Sequence, residues 1–272
     1  MSSFAVPGAT LDFDVTGADG PAVVALHGLT SSRRREAVLG LDVAGGLEGV
    51  RLLRYDARGH GRSTGRDRIG DYCWPHLAED LHLLVEHVFG GEVVHGIGAS
   101  MGTGTLLHAA LADPARFATL TLMIPPTGWR TRASKASEYE WAARLVESSG
   151  VAAWMAAGAG APQPPATRGR PDTLPDVPPS LLPTVLRGAA SSDLPSRSSL
   201  TTLDVPTLVL AWTADPAHPL ETADELGAVL PRCRSVVAED PDDVRRWASE
   251  LADHVGAVAP AGPLSPTPRS LR

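Results

Sequence analysis

The chain predicts an α/β fold: a mostly parallel central sheet with helices on both faces, interrupted by a helical insertion. Three observations predict it. Short apolar runs alternate with helix-period segments up to about residue 126 and again from about residue 201. Between these stretches, residues 127–200 break the alternation and are rich in Pro, Gly and Ser. A serine flanked by glycines, Gly98-Ala99-Ser100-Met101-Gly102, stands where an apolar run meets a helical pattern.

Taken in order, Leu11 to Val15 reads as an antiparallel hairpin strand. Ala22 to Leu26 (AVVAL) is a buried strand ending at His27-Gly28, and Val50 to Tyr55 is another, ending at Asp56. Trp74 to Phe89 carries Leu77, Leu81, Leu84, Val85 and Val88, the spacing of one helix face. Glu92 to Ile97 is a third strand, Met101 to Leu111 a helix closed by Asp113-Pro114, and Phe117 to Ile124 a fourth strand. Strands separated by helices imply parallel crossovers and a sheet covered on both sides. The alternation resumes with a strand at Pro206 to Trp212, a helix from about Pro219 to Leu230, a short strand at Ser235 to Ala238 and a closing helix from Asp242 to Val258. Residues 1–126 and 201–258 thus form the core and 127–200 the insertion. Residues 259–272, rich in Pro and Ser, are expected to be disordered.

A chain of 272 residues can bury a sizeable core. Its net charge of -7 argues against nucleic-acid and anionic-membrane partners, both of which reward a basic face. All basic residues but Lys135 are Arg. Two cysteines, Cys73 and Cys233, suggest a reducing compartment rather than a disulfide framework. No signal peptide is expected from Met1 to Thr10, and no run approaches the ~20 apolar residues that cross a bilayer. A cytoplasmic protein with a small-molecule substrate is the expectation.

The pattern G-x-S-x-G between strand and helix forces a tight bend that lifts the Ser100 hydroxyl toward the unpaired amides of a helix start. A glycine-rich turn can also be purely structural, and the flanking strand and helix are what favour the nucleophile. His27-Gly28-Leu29-Thr30, at the end of an earlier strand, offers a second amide. The N–H groups of Leu29 and Met101 are then the candidate oxyanion donors. His27 itself reads as a structural hydrogen-bonding residue.

His27-Gly28, the run Tyr55-Asp56-Ala57-Arg58-Gly59-His60-Gly61-Arg62-Ser63, and Gly98-x-Ser100-x-Gly102 together resemble the α/β-hydrolase superfamily, over roughly residues 10 to 258. They are most similar to the branch that holds esterases, lactonases and C–C bond hydrolases. The resemblance implies the α/β-hydrolase fold with a helical lid, a serine hydrolase activity and no cofactor. It also implies that Arg58 and His60 belong to a mainly structural loop. Asp215, in Trp212-Thr213-Ala214-Asp215-Pro216-Ala217-His218, matches the family's acid, whose work is to orient an imidazole and stabilise its charged form.

The chain departs from the family at the histidine. The family places it after the last strand, where this chain has Glu239-Asp240-Pro241-Asp242-Asp243. Only His218 and His254 follow the insertion. His218 lies on a loop at the carboxyl edge of the sheet, where open α/β sheets bind ligands, and is the preferred base. His254 lies deep in the closing helix. Three readings stay open: His218, His254, or no base at all and a ligand-binding protein on the same fold. His95 reads as a core residue, and His76, His82 and His87 as the outer face of their helix. No histidine pair has metal-binding spacing, so no metal is expected. In the insertion, Trp129, Tyr139, Trp141, Trp154 and Met155 are candidates to pack the lid or line an apolar pocket, with Trp141, Leu145 and Val146 on one apolar face. The stretch Gly158 to Pro179 is the candidate gate.

Overall fold

A computed structural model describes residues 2–161 and 163–257. Eight strands form one sheet: β1 (Ser2–Val6), β2 (Ala9–Thr16), β3 (Ala22–Leu26), β4 (Arg51–Tyr55), β5 (Val94–Ala99), β6 (Phe117–Met123), β7 (Thr207–Trp212) and β8 (Cys233–Ala238). Their spatial order is β1-β2-β4-β3-β5-β6-β7-β8. The first two pairings, β1 with β2 and β2 with β4, are antiparallel, and the rest are parallel. Every residue of β5 and β7 is buried, as expected of strands covered on both faces.

Eight α-helices accompany the sheet: α1 (Arg33–Leu39), α2 (Trp74–Phe89), α3 (Met101–Ala112), α4 (Arg132–Gly158), α5 (Leu182–Ala190), α6 (Arg197–Leu200), α7 (Leu220–Val229) and α8 (Pro241–Gly256). One face of the sheet is covered by the apolar sides of α2, α3 and α7. The other is covered by α8, through Val244, Trp247, Leu251 and Val255, and by residues 41–47. The parallel order brings the carboxyl ends of β3, β5, β6 and β7 together along one rim, and the site is built there.

Most expected elements form within two residues of their expected ends. Outside the insertion, two were not anticipated. β1 continues the N-terminal hairpin, pairing Ser2 with Phe13 through Val6 with Ala9, but its outward residues are exposed and leave little periodicity to read. Helix α1 hides behind the run Arg33-Arg34-Arg35; it starts because Ser32 Oγ accepts from the Arg35 amide at 3.1 Å.

The segment between β6 and β7 contains α4, α5 and α6. Helix α4 is broken at Gly150, whose φ of 83° lies outside the helical region. Its buried face is Ala142, Ala143 and Val146, packed with Leu182, Val185 and Leu186 of α5 and with Tyr72. The expected stripe is therefore rotated by about one residue: Trp141 is 50 % exposed, because α5 covers the adjacent side of α4. Trp129 packs against the core and donates through Nε1 to the Pro195 carbonyl, while Tyr139 and Trp154 pack on the α4–α5 cluster. The expected disordered stretch 259–272 lies outside the described residues, as does residue 258.

Candidate active site

The site starts from backbone geometry. Ser100 has φ 50° and ψ -108°, a conformation that non-glycine residues rarely adopt and that costs about 1–3 kcal/mol. The turn is possible only because its flanks have no side chains. A Cβ on Gly98 would lie 2.4 Å from the Gly102 carbonyl oxygen, and one on Gly102 would lie 2.7 Å from that of Leu26. The bend is held by the Ser100 amide, which donates to the Met123 carbonyl at 3.0 Å, and by Thr103 Oγ1, which donates to the Gly98 carbonyl at 2.8 Å. Ser100 is thereby lifted out of the sheet at the start of α3.

The loop after β7 supplies the other two groups. Pro216 occupies the second position of a β-turn that closes when the His218 amide donates to the Asp215 carbonyl at 3.1 Å. Pro219 then caps α7, so His218 is gripped between a turn and a helix. The imidazole spans the gap to the serine. Its Nδ1 lies 2.7 Å from Asp215 Oδ2, and its Nε2 lies 2.8 Å from Ser100 Oγ. The side chains are 18 % and 11 % exposed for His218 and Asp215. Burial pushes the Asp215 carboxyl up. The hydrogen bond and charge of His218, the Ala217 amide at 2.9 Å and the Trp212 indole N–H at 2.8 Å outweigh this and hold it at about 2. An ionised carboxylate can only accept, so Nδ1 carries the proton and Nε2 is left to accept from the serine hydroxyl.

Gly28 sits against Ser100: a Cβ placed on it would meet Ser100 Cβ at 3.4 Å. Among the described residues, neither the Leu29 amide nor the Met101 amide has a hydrogen-bond acceptor, as an oxyanion site requires. The segment between β6 and β7 closes over this corner. Leu29 packs on the α4–α5 cluster, the Asp176 amide donates to the Thr30 carbonyl at 2.9 Å, and Ser32 Oγ donates to Asp176 Oδ2 at 2.6 Å.

The remaining histidines are occupied elsewhere. His254 is buried against the Leu120 carbonyl at 3.1 Å in mid-sheet, which removes it as a base for Ser100. His27 holds the β4 loop, accepting from the Ala57 amide at Nε2 (2.9 Å) while Nδ1 donates to the Gly28 carbonyl (2.8 Å). His95 pairs with Thr119 Oγ1 inside the core. His82 bonds the Ala109 carbonyl, and His87 stacks on Phe4. Arg58 is fully buried and bound by Asp71 and Asp80, a structural knot. Both cysteines are free. Among the described residues no group of His, Cys, Asp and Glu could hold a metal ion, and no helix is long and apolar enough to cross a membrane.

Trp212 is the residue that sequence reasoning missed. Its N–H donates to the same Asp215 oxygen that His218 uses, and its ring meets the imidazole edge-on at 6.1 Å. The available signal was a large N–H donor ending a strand three residues before the acid.

Comparisons with known proteins agree with this geometry. A family model for the alpha/beta hydrolase fold matches residues 21–144. The 3-oxoadipate enol-lactonase 1 of Acinetobacter baylyi is 29 % identical over 216 residues, covering 77 % of this chain and 77 % of that protein. A hydrolase from Pseudomonas aeruginosa superposes with a TM-score of 0.78 at 23 % identity, over 94 % of this chain and 98 % of its own. The enol-lactonase of Burkholderia xenovorans does so with a TM-score of 0.74 at 21 % identity, over 94 % and 100 %. Sheet order, serine bend and these likenesses agree: the chain has the α/β-hydrolase fold and is similar to hydrolases built on it.

Proposed function

We propose that this hydrolase cleaves an ester, lactone or related acyl bond of a small, largely apolar molecule, with Ser100 as nucleophile. The observation that carries the reading is the continuous relay from Asp215 through His218 to Ser100 Oγ, with contacts of 2.7 and 2.8 Å. His218 takes the hydroxyl proton as Ser100 attacks the carbonyl carbon. The oxyanion that forms is received by the Leu29 and Met101 amides. His218 then gives the proton to the leaving oxygen, and water repeats the sequence to release the acid and restore the serine. Asp215 stays ionised and stabilises the imidazolium. The enol-lactonases to which the chain is similar favour an ester or lactone over other acyl compounds. On this reading residues 127–200 act as the substrate lid, supported by their ties to residues 29–32, and the two free thiols favour the cytoplasm.

A fluorophosphonate probe tests the reading. Wild type is expected to label at Ser100, and the label to vanish in Ser100→Ala. A folded wild type that does not label sinks the proposal and favours a ligand-binding protein on the same fold.

A further inference from the structure

The lid segment lowers one arginine beside the relay. Arg170 follows the 3-10 turn Pro165–Thr167, whose Ala166 is wholly buried against the cluster that holds Trp212 and Trp247. Its guanidinium lies over the Trp212 ring, 5.9 Å from the ring centre. This is the indole that binds Asp215, meets His218 edge-on and stacks on Trp247 at 6.0 Å. Arg170 and His218 thus both contact the Trp212 ring.

Its surroundings do not use what it offers. Arg170 Nη1 is buried, yet it has no hydrogen-bond partner among the described residues. Burial works against its charge and lowers its pKa, and the only opposing influence is the more distant carboxylate of Glu36. Arg170 forms no ion pair within 4.0 Å among the described residues, although most arginines of this chain do. Glu36 is also shared, because Arg35 feels its charge as well. Arg35 has Asp176 as a second carboxylate, whereas Arg170 has only the shared Glu36. A buried guanidinium N–H without an acceptor costs free energy that a bound acceptor restores, and a carboxylate matches the guanidinium fork best.

We propose that Arg170 is a substrate-binding residue that receives a carboxylate, so that the preferred acyl compound is a short apolar chain with the reacting carbonyl at one end and a carboxylate at the other. The inference rests on the serine hydrolase reading and narrows its substrate class. The apolar part of the chain lies along the rim between Ser100 and Trp212, and the carboxylate supplies the acceptor that Nη1 lacks.

The test compares two p-nitrophenyl esters of equal length, the monoester of adipic acid and the ester of a neutral monocarboxylic acid. Wild type is expected to favour the adipate ester in kcat/KM. Arg170→Gln should reduce that ratio by roughly 10- to 100-fold, on the scale of one charge-assisted pair, and Arg170→Lys should keep part of it. A wild-type ratio near one, or a ratio that Arg170→Gln leaves in place, overturns the assignment. Fluorophosphonate labelling of the same preparations reports the serine chemistry independently. If labelling and turnover both fail, calorimetry with adipic acid monoamide decides: weaker binding in Arg170→Gln than in wild type supports the carboxylate site, and equal or absent binding removes it.

Discussion

The loops after β7 and β8 stand side by side at one edge of the sheet, and they spend their polar groups differently. In the β7 loop, Pro216 closes a turn that sets Asp215 and His218 three residues apart, and the imidazole reaches Ser100. In the β8 loop, Asp240 Oδ1 accepts from the Asp242 and Asp243 amides at 2.8 and 2.9 Å, and Asp243 Oδ2 accepts from the Glu239 amide at 2.8 Å. Those carboxylates start α8, and no side chain of residues 239–243 is hydrogen-bonded to the serine. The difference teaches that a base is chosen by reach. On the proposed reading, a loop that carries both acid and base needs no contribution from the next one.

The largest expected effect breaks the β7 loop. His218→Ala should lower kcat by roughly 10⁴- to 10⁶-fold, as loss of a triad member does. Ser100→Ala should cost a similar factor, and the double variant little more than either, because the groups act as a unit. Additive losses would separate His218 from the serine. Steady-state kinetics on the three folded variants checks this.

A second effect contrasts the rim histidine with those sealed below it. Burial, then the neighbouring His27, lowers the His60 pKa to about 3, and burial, then His254, lowers that of His95 to about 4. Unfolded histidines take up a proton near 6.5. Groups whose folded pKa is depressed in this way cost stability as pH falls through that value. Between pH 7 and 5 each should remove about 2 kcal/mol, at 1.36 kcal/mol per pH unit. Asp215 does not contribute in this window, because its depressed pKa matters only below its usual 3.8. Urea unfolding at the two pH values measures the loss. A flat profile would mean that His60 and His95 are not sealed.

The smallest effect tests the silent loop. Asp240→Ala removes the cap of α8 and should cost about 1 kcal/mol of stability, with kcat unchanged. A marked fall in kcat at full folding would bring the β8 loop into the chemistry.

Much of the architecture was legible in the sequence. The apolar runs at Ala22–Leu26 and Thr207–Trp212 and the face of Trp74–Phe89 are period signals that burial enforces. The edge strand β1 and the short helix α1 were not legible, because exposed residues carry no period and a capped seven-residue helix needs only local contacts. The α4 stripe was read one residue off, since the partner helix that selects the buried side lies some forty residues further along the chain.

By itself the sequence determined the bend at Ser100, because Gly98 and Gly102 lack the side chains that would block it, and it marked Asp215 by its place after a strand. The tertiary structure alone decided among the histidines. Hydrogen bonding to Ser100 depends on the separation of two loops that sheet order brings together, and nothing local to either loop encodes that distance. The same holds for Trp212 and Arg170, whose importance comes from what the fold sets beside them.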